Sequence, residues 1–194
     1  MESVLLGPVK EGSLITNSRL EHAYANTQQN TNPSTTQDLW REILTTELLQ
    51  TSSQSIPTFT ISSLTHHSEV KAGSDLYIII SPTTAPCPGH DPRVLLALGF
   101  QGSDKDSSVE RELLVVRFVE WAKRELSVSS GPRLFYGLLV VGTYARVLRY
   151  DKHEGVLKPF HGKVWLDAKS QKWRPIMDDV KKGILDAVSR HITA

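Results

Sequence analysis

The sequence predicts an α/β protein in which a central mixed β-sheet is flanked by helices. Three observations carry this. Segments 109–126 and 174–192 repeat apolar residues at three- and four-residue spacing, as amphipathic helices do. DLYIIIS (75–81), RVLLALGF (93–100) and RLFYGLLVV (133–141) are nearly continuous apolar runs bounded by turn residues, as buried strands are. Helices and strands are interleaved along the chain, an order that one sheet covered by helices accommodates.

The elements follow in turn. Residues 1–21 carry VLLGPV and SLITNSRL, with enough Leu and Val to dock as an arm on the body or on another chain. HAYANTQQNTNPSTTQ (22–37) is rich in Asn, Gln, Thr and Ser and poor in apolar side chains, so burial is expected not to offset its ordering entropy. The expected organisation is an N-terminal arm and flexible polar linker over 1–37 and a folded domain over 38–194. A helix then begins at Asp38, with Leu39, Ile43, Leu44 and Leu48 at helical spacing. TFTISSL (58–64) reads as a strand, THHSEVKAGS as a polar loop, DLYIIIS as a strand, and SPTTAPCPGHDP as a Pro-rich loop before the strand RVLLALGF. In the long helix the expected buried set is Leu113, Val116, Val119 or Phe118, and Ala122, with Ser107 or Ser108 as cap. RLFYGLLVV, a Gly142-Thr143 turn and YARVLRYD form an antiparallel pair. KHEG turns the chain again, and VLKPF and KVWLD add short edge pieces. The closing helix has Pro175 in its first turn and Ile176, Val180, Ile184 and Val188 on one face.

Composition narrows the function. The chain has 194 residues, of which 39% are hydrophobic and 22% charged, enough for a sizeable core in one domain. Its 22 basic and 21 acidic side chains leave a net charge of +1, so no global field gathers nucleic acid or anionic membrane. A single cysteine, Cys87, excludes an intrachain disulfide and a cysteine metal cage. The first residues lack the basic region and apolar length of a secretion signal, and no stretch is long enough to span a bilayer. The expectation is an intracellular protein, cytoplasmic or nuclear, with no membrane partner.

Several residue groups invite a chemical reading. Glu69-Val70-Lys71 has the letters of a nuclease triplet but lies in a polar loop, where a solvated charge pair is the simpler reading. His66 and His67 are adjacent, and neighbours on an extended chain point to opposite sides, so together with His90 they read as loop histidines and not as Zn²⁺ ligands. No Gly-x-Ser-x-Gly elbow or Gly-rich phosphate loop is present. Basic residues gather around the hairpin and the closing helix; Arg146, Arg149, Lys172 and Arg174 are the candidates for nucleic-acid contact. Interleaved acids make the same residues an ordinary solvated face. The tryptophans Trp40, Trp121, Trp165 and Trp173 read as packing anchors before stacking platforms.

The run RLFYGLLVVGTYARVLRYDKHEGVL resembles small fungal proteins of the PD-(D/E)XK nuclease-like superfamily and the nuclease-like segment that precedes some fungal kinase domains. There a buried strand, a Gly-Thr turn, a strand of the RFYRYD kind and a Gly turn follow one another. The Asp-led strand DLYIIIS and the helix before RLFYG support the likeness, which covers residues 38–192. It implies a restriction-endonuclease-like sheet. It also implies a site built from a helix Glu, an Asp at the head of one strand and a Glu-x-Lys at the end of the next. Such acids hold Mg²⁺ through oxygen, and the Lys, two residues along the strand, shares the face of the Glu and orients water or stabilises charge.

Carried onto this chain, the helix acid is Glu42 and the strand acid, the one candidate metal ligand, is Asp75. The Glu-x-Lys falls on Gly99-Phe100-Gln101, which offers neither a second carboxylate nor a cation. Asp104 and Lys105 follow as a displaced alternative. The expected function is therefore a pseudoenzyme: a non-catalytic protein that binds protein or nucleic acid, or self-associates, on a degenerate nuclease-like fold with no cofactor. Two alternatives stand beside it. One is a divergent Mg²⁺-dependent nuclease using Asp75, Glu42 and Gln101 or Asp104. The other is a small-molecule enzyme using the loop histidines as acid or base.

Overall fold

Strand pairing in the computed structural model joins seven strands into one sheet, in the order β1 to β6 with β7 paired to β5. The structure describes residues 11–49, 59–64, 76–82, 96–128, 134–151 and 154–192. The strands are β1 (Phe59–Leu64), β2 (Leu76–Pro82), β3 (Leu96–Gln101), β4 (Leu134–Val141), β5 (Tyr144–Asp151), β6 (Val156–Pro159) and β7 (Leu166–Asp167). β1, β2 and β3 form an antiparallel meander. β3 and β4 are parallel, so a crossover must join them, and helix α3 (Ser108–Val128) provides it. β5 returns antiparallel beside β4. The sheet is mixed, as expected.

Alternation along the strands sends side chains to two cores. Leu96, Leu98 and Phe100 of β3 and Tyr136, Leu138 and Val140 of β4 face α1 (Ser18–Gln29), α2 (Pro33–Leu44) and α4 (Trp173–Ile192). Ala97, Leu139, Val141 and Leu148 face α3, which inserts Leu114, Phe118, Trp121 and Ala122. The Gly142-Thr143 turn between β4 and β5 forms where predicted, with Gly142 at φ +55°.

The N-terminal region corrects the expectation of a flexible linker over 22–37. Those residues belong to two packed helices. Asn17 caps α1, its side chain accepting from Leu20 N at 2.9 Å; Asn32 caps α2, accepting from Ser34 N at 3.0 Å, with Pro33 in the first turn. α2 therefore starts five residues before Asp38. The apolar content is sparse but correctly spaced: Leu20, Tyr24 and Thr27 are buried on one side of α1. Thr27 Oγ1 donates to Ala23 O and Thr35 O, so a polar residue replaces apolar packing where the two helices meet. The preceding Leu14 and Ile15 are 0% and 1% exposed, and Leu14 N donates to Ala168 O at 3.1 Å. Residues 11–21 of the arm dock on the chain's own body.

In α2, Leu39, Ile43 and Leu44 are buried as predicted, and the helix runs into one π-helical turn, Thr45–Leu49. α3 buries part of the expected set, Phe118 and Ala122 at 0% and 1% exposure, but not the rest. Leu113 and Val116 are 45% and 51% exposed, whereas Leu114, Phe118 and Trp121 fill the core. Apolar residues at 113–116 and 118–119 are nearly contiguous, so two phases of the helix satisfy the same spacing. The face with the larger aromatics is the one against the sheet, where Phe118 lies over Gly137; a β-carbon there would be 2.3 Å from its ring. Ser107 caps α3, its Oγ accepting from Glu110 N at 3.2 Å. Ile176, Val180 and Ile184 of α4 are buried as expected. The side chain of Val188 lies outside the described residues, as do the expected loops over 65–75 and 83–92.

Candidate functional site

The positions that the resemblance assigns to chemistry do not come together among the described residues. Leu76 at the head of β2 is opposite Phe100 at the end of β3, so those two strand ends are neighbours. Strand alternation then separates the other candidates. Phe100 faces the α2 side, so Gly99 and Gln101 belong to the α3 side, where Gln101 is 7% exposed. Glu42 sits on α2, across the sheet, with its Oε1 2.9 Å from Arg19 Nε. Asp104 and Lys105 are exposed on a 3₁₀ turn, Ser103–Lys105, directly after β3. Asp75, the candidate metal ligand, and His66, His67, His90, Glu69 and Lys71 lie outside the described residues. No group of three or more His, Cys, Asp or Glu side chains is placed to hold a metal ion among the described residues.

The basic candidates divide into two kinds. Arg146 is 6% exposed, on the α3 side, and its Nη1 is 3.3 Å from Glu112 Oε1. Arg174 makes two hydrogen bonds to Glu47, Nη1 to Oε2 at 2.9 Å and Nη2 to Oε1 at 3.2 Å. Lys181 Nζ reaches the same Oε2 at 2.7 Å, so two cations from α4 close over a carboxylate that is itself buried. That arrangement fixes the π-helical turn to α4 and leaves Arg174 engaged within the fold. Arg149 and Lys172 remain exposed.

Lys172 lines a cleft in the described surface, and Arg149 lies 5.9 Å from the ring of Phe160, another of its lining residues. On its outer edge β5 pairs with β6 from Leu148 to Asp151, and with β7 at Tyr144 and Ala145. Pairing breaks between them, and residues 160–165 cross from one strand to the other. A cleft of about 300 Å³ opens at the break, between the sheet edge and the first turn of α4. Ala145, Val147, Leu166, Trp173 and Ile176 give it an apolar floor, with Phe160 and Val164 contributed by the crossing loop. Its size suits a small ligand or one large side chain.

Local geometry holds this loop in an unusual shape. His161 has φ 56°, the single non-glycine residue with positive φ among those described, and Gly162 follows at φ 100°. The His161 ring stands edge-on to Phe160 at 4.4 Å, and its Nε2 is 2.8 Å from Asp179 Oδ2 on α4. Phe160 in turn packs edge-on against Tyr136 at 5.4 Å, and the Arg149 guanidinium lies 5.9 Å from the Phe160 ring. Burial pushes the Tyr136 phenol above its ordinary pKa, Arg149 opposes that shift, and Asp179 and Asp186 add to it. His161 and Asp179 make an oriented imidazole–carboxylate pair. Among the described residues no hydroxyl or thiol is hydrogen-bonded to His161, so the pair has nothing aligned to activate.

A second polar cluster lies at the end of the sheet where the arm docks. Asp167 Oδ2 accepts from Thr143 Oγ1 at 2.7 Å, Oδ1 accepts from Lys169 N at 2.8 Å, and Tyr24 OH donates to both oxygens at 3.1 and 3.2 Å. Burial, then the charge of Asp167, pushes the Tyr24 phenol far above its ordinary value. Each donor here is satisfied within the fold, and the cluster's effect is to tie α1 to the β5–β7 pair. Glu47, Asp167 and His161 were absent from the sequence reading: a single acid or histidine at an element's end has no local pattern that sets it apart. Comparison with protein families, with curated proteins and with solved structures finds no match.

Proposed function

We propose that the protein is a non-catalytic interaction domain on a nuclease-like scaffold, and that it engages another protein. The observation that carries this reading is the separation of the positions that the resemblance assigns to chemistry. Gly99 and Gln101 bring neither carboxylate nor cation to the end of β3, and Glu42 lies across the sheet, paired with Arg19. The element order supports the scaffold: a helix, an antiparallel three-strand meander, a crossover helix and a parallel fourth strand. Protein is favoured over nucleic acid because Arg146 and Arg174 are committed to Glu112 and Glu47.

Incubation with single- and double-stranded DNA and RNA in Mg²⁺ or Mn²⁺ tests the reading. The expected outcome is no cleavage, and no rise in melting temperature with Mn²⁺ in wild type or in Asp75→Ala. Metal-dependent cleavage that Asp75→Ala abolishes would overturn it.

A further inference from the structure

We propose that the cleft between the β6–β7 crossing and α4 receives one large apolar side chain of a partner segment whose flanking residues are acidic. This inference rests on the protein-binding reading above and adds the site and the partner's chemistry. The floor is apolar, and a cavity of about 300 Å³ accepts a side chain of Phe, Leu or Trp size. Val164, 66% exposed, carries the apolar surface onto the rim, so an occupant longer than the cavity gains contact outside it.

Cations line and flank the cleft. Lys172 lines the cleft just before α4, Lys163 adjoins the lining residue Val164 on the crossing loop, and Arg149 lies 5.9 Å from the ring of the lining residue Phe160. Lys163 and Lys172 have no ion-pair partner among the described residues. Asp179, the acid at this mouth, is already held by His161. Cations beside an apolar seat complement carboxylates placed next to an anchoring side chain. The loop that presents Phe160 and Lys163 is held through a left-handed His161, a backbone state that the Asp179 and Phe160 contacts maintain. The cleft is thereby shaped before a partner arrives, which lowers the ordering cost of binding.

The test is an NMR titration of the ¹⁵N-labelled full chain with a capped peptide that has one Phe between Glu residues. Controls replace the Phe with Ala, or every Glu with Lys. Shift changes are expected at Phe160–Leu166 and Lys172–Ile176, with affinity lost in both controls. Lys172→Glu and Val164→Glu alter exposed positions, and each is expected to weaken binding about tenfold or more. Fold retention in both variants is checked by their own spectra. Saturable binding mapped elsewhere, equal binding of the Lys peptide, or no shift changes at millimolar peptide would overturn the proposal. If the peptide fails while nuclease assays stay silent, the cleft assignment falls and the interaction-domain reading stands; metal-dependent cleavage removes the reading itself.

Discussion

Tyr24 shows how much one side chain does at the junction of arm and sheet. Its ring is buried, its hydroxyl donates to Asp167, and Gln28 Nε2 donates back to that hydroxyl at 3.1 Å. A hydrogen bond to a carboxylate contributes about 1.5–3 kcal/mol, so Tyr24→Phe is expected to lower unfolding free energy by about 2 kcal/mol at pH 7. The pH dependence has a definite sign. The folded pKa lies above the ordinary 10.0, so above pH 10 the folded state keeps a proton that the unfolded state releases. The contribution of Tyr24 is complete below pH 10 and is lost as pH rises toward the folded pKa. Urea denaturation between pH 7 and 11 is expected to show wild type losing stability above pH 10, with a shallower loss in Tyr24→Phe. Equal slopes would show that the phenol titrates alike in both states. Tyr136, shifted upward by burial, remains in both proteins and acts in the same direction.

Among elements, α3 and β4 approach each other closely at a point that no sequence pattern reveals. Gly137 lies in the middle of a strand, where glycine ordinarily weakens the sheet. Phe118 explains it: the ring occupies the space a β-carbon would take, 2.3 Å from Cε1. Gly137→Ala is expected to cost about 2–3 kcal/mol through overpacking, read as a lower melting temperature. Combining it with Phe118→Leu, which trims the obstructing ring, is expected to cost less than the sum of the two single changes. Additive losses would mean the two residues do not share the space. The same contact selects which face of α3 is buried. The helical period was legible in the sequence; its phase was not, because Leu113 and Val116 fit the spacing as well as Leu114 and Phe118 do.

At the scale of the whole molecule, residues 11–37 are part of the fold. Leu14, Ile15 and Leu20 are each at most 1% exposed. Burying each such side chain is worth about 1.5–3 kcal/mol, so together they match a large part of the 5–15 kcal/mol that holds a typical domain folded. A chain starting at residue 38 is expected to lose its cooperative melting transition, read by circular dichroism. If it melts as wild type does, the N-terminal helices are an appendage after all. Within the near-neutral charge of the whole, acids are spent in pairs such as the buried Glu47 with Arg174 and Lys181.

By itself the sequence determined the α/β class, the strands β2 to β5, the Gly142-Thr143 turn and the ends of α3, because each is written in a local period or a local turn. It also determined which residue types stand at the positions that the resemblance assigns to chemistry. Tertiary structure alone decided that a weakly apolar segment folds as α1, which face of α3 turns inward, that Glu47 meets Arg174, and that the sheet edge opens into a cleft beside Phe160 and Trp173. Those outcomes depend on contacts between residues far apart in the chain, whose energies no short window of sequence contains.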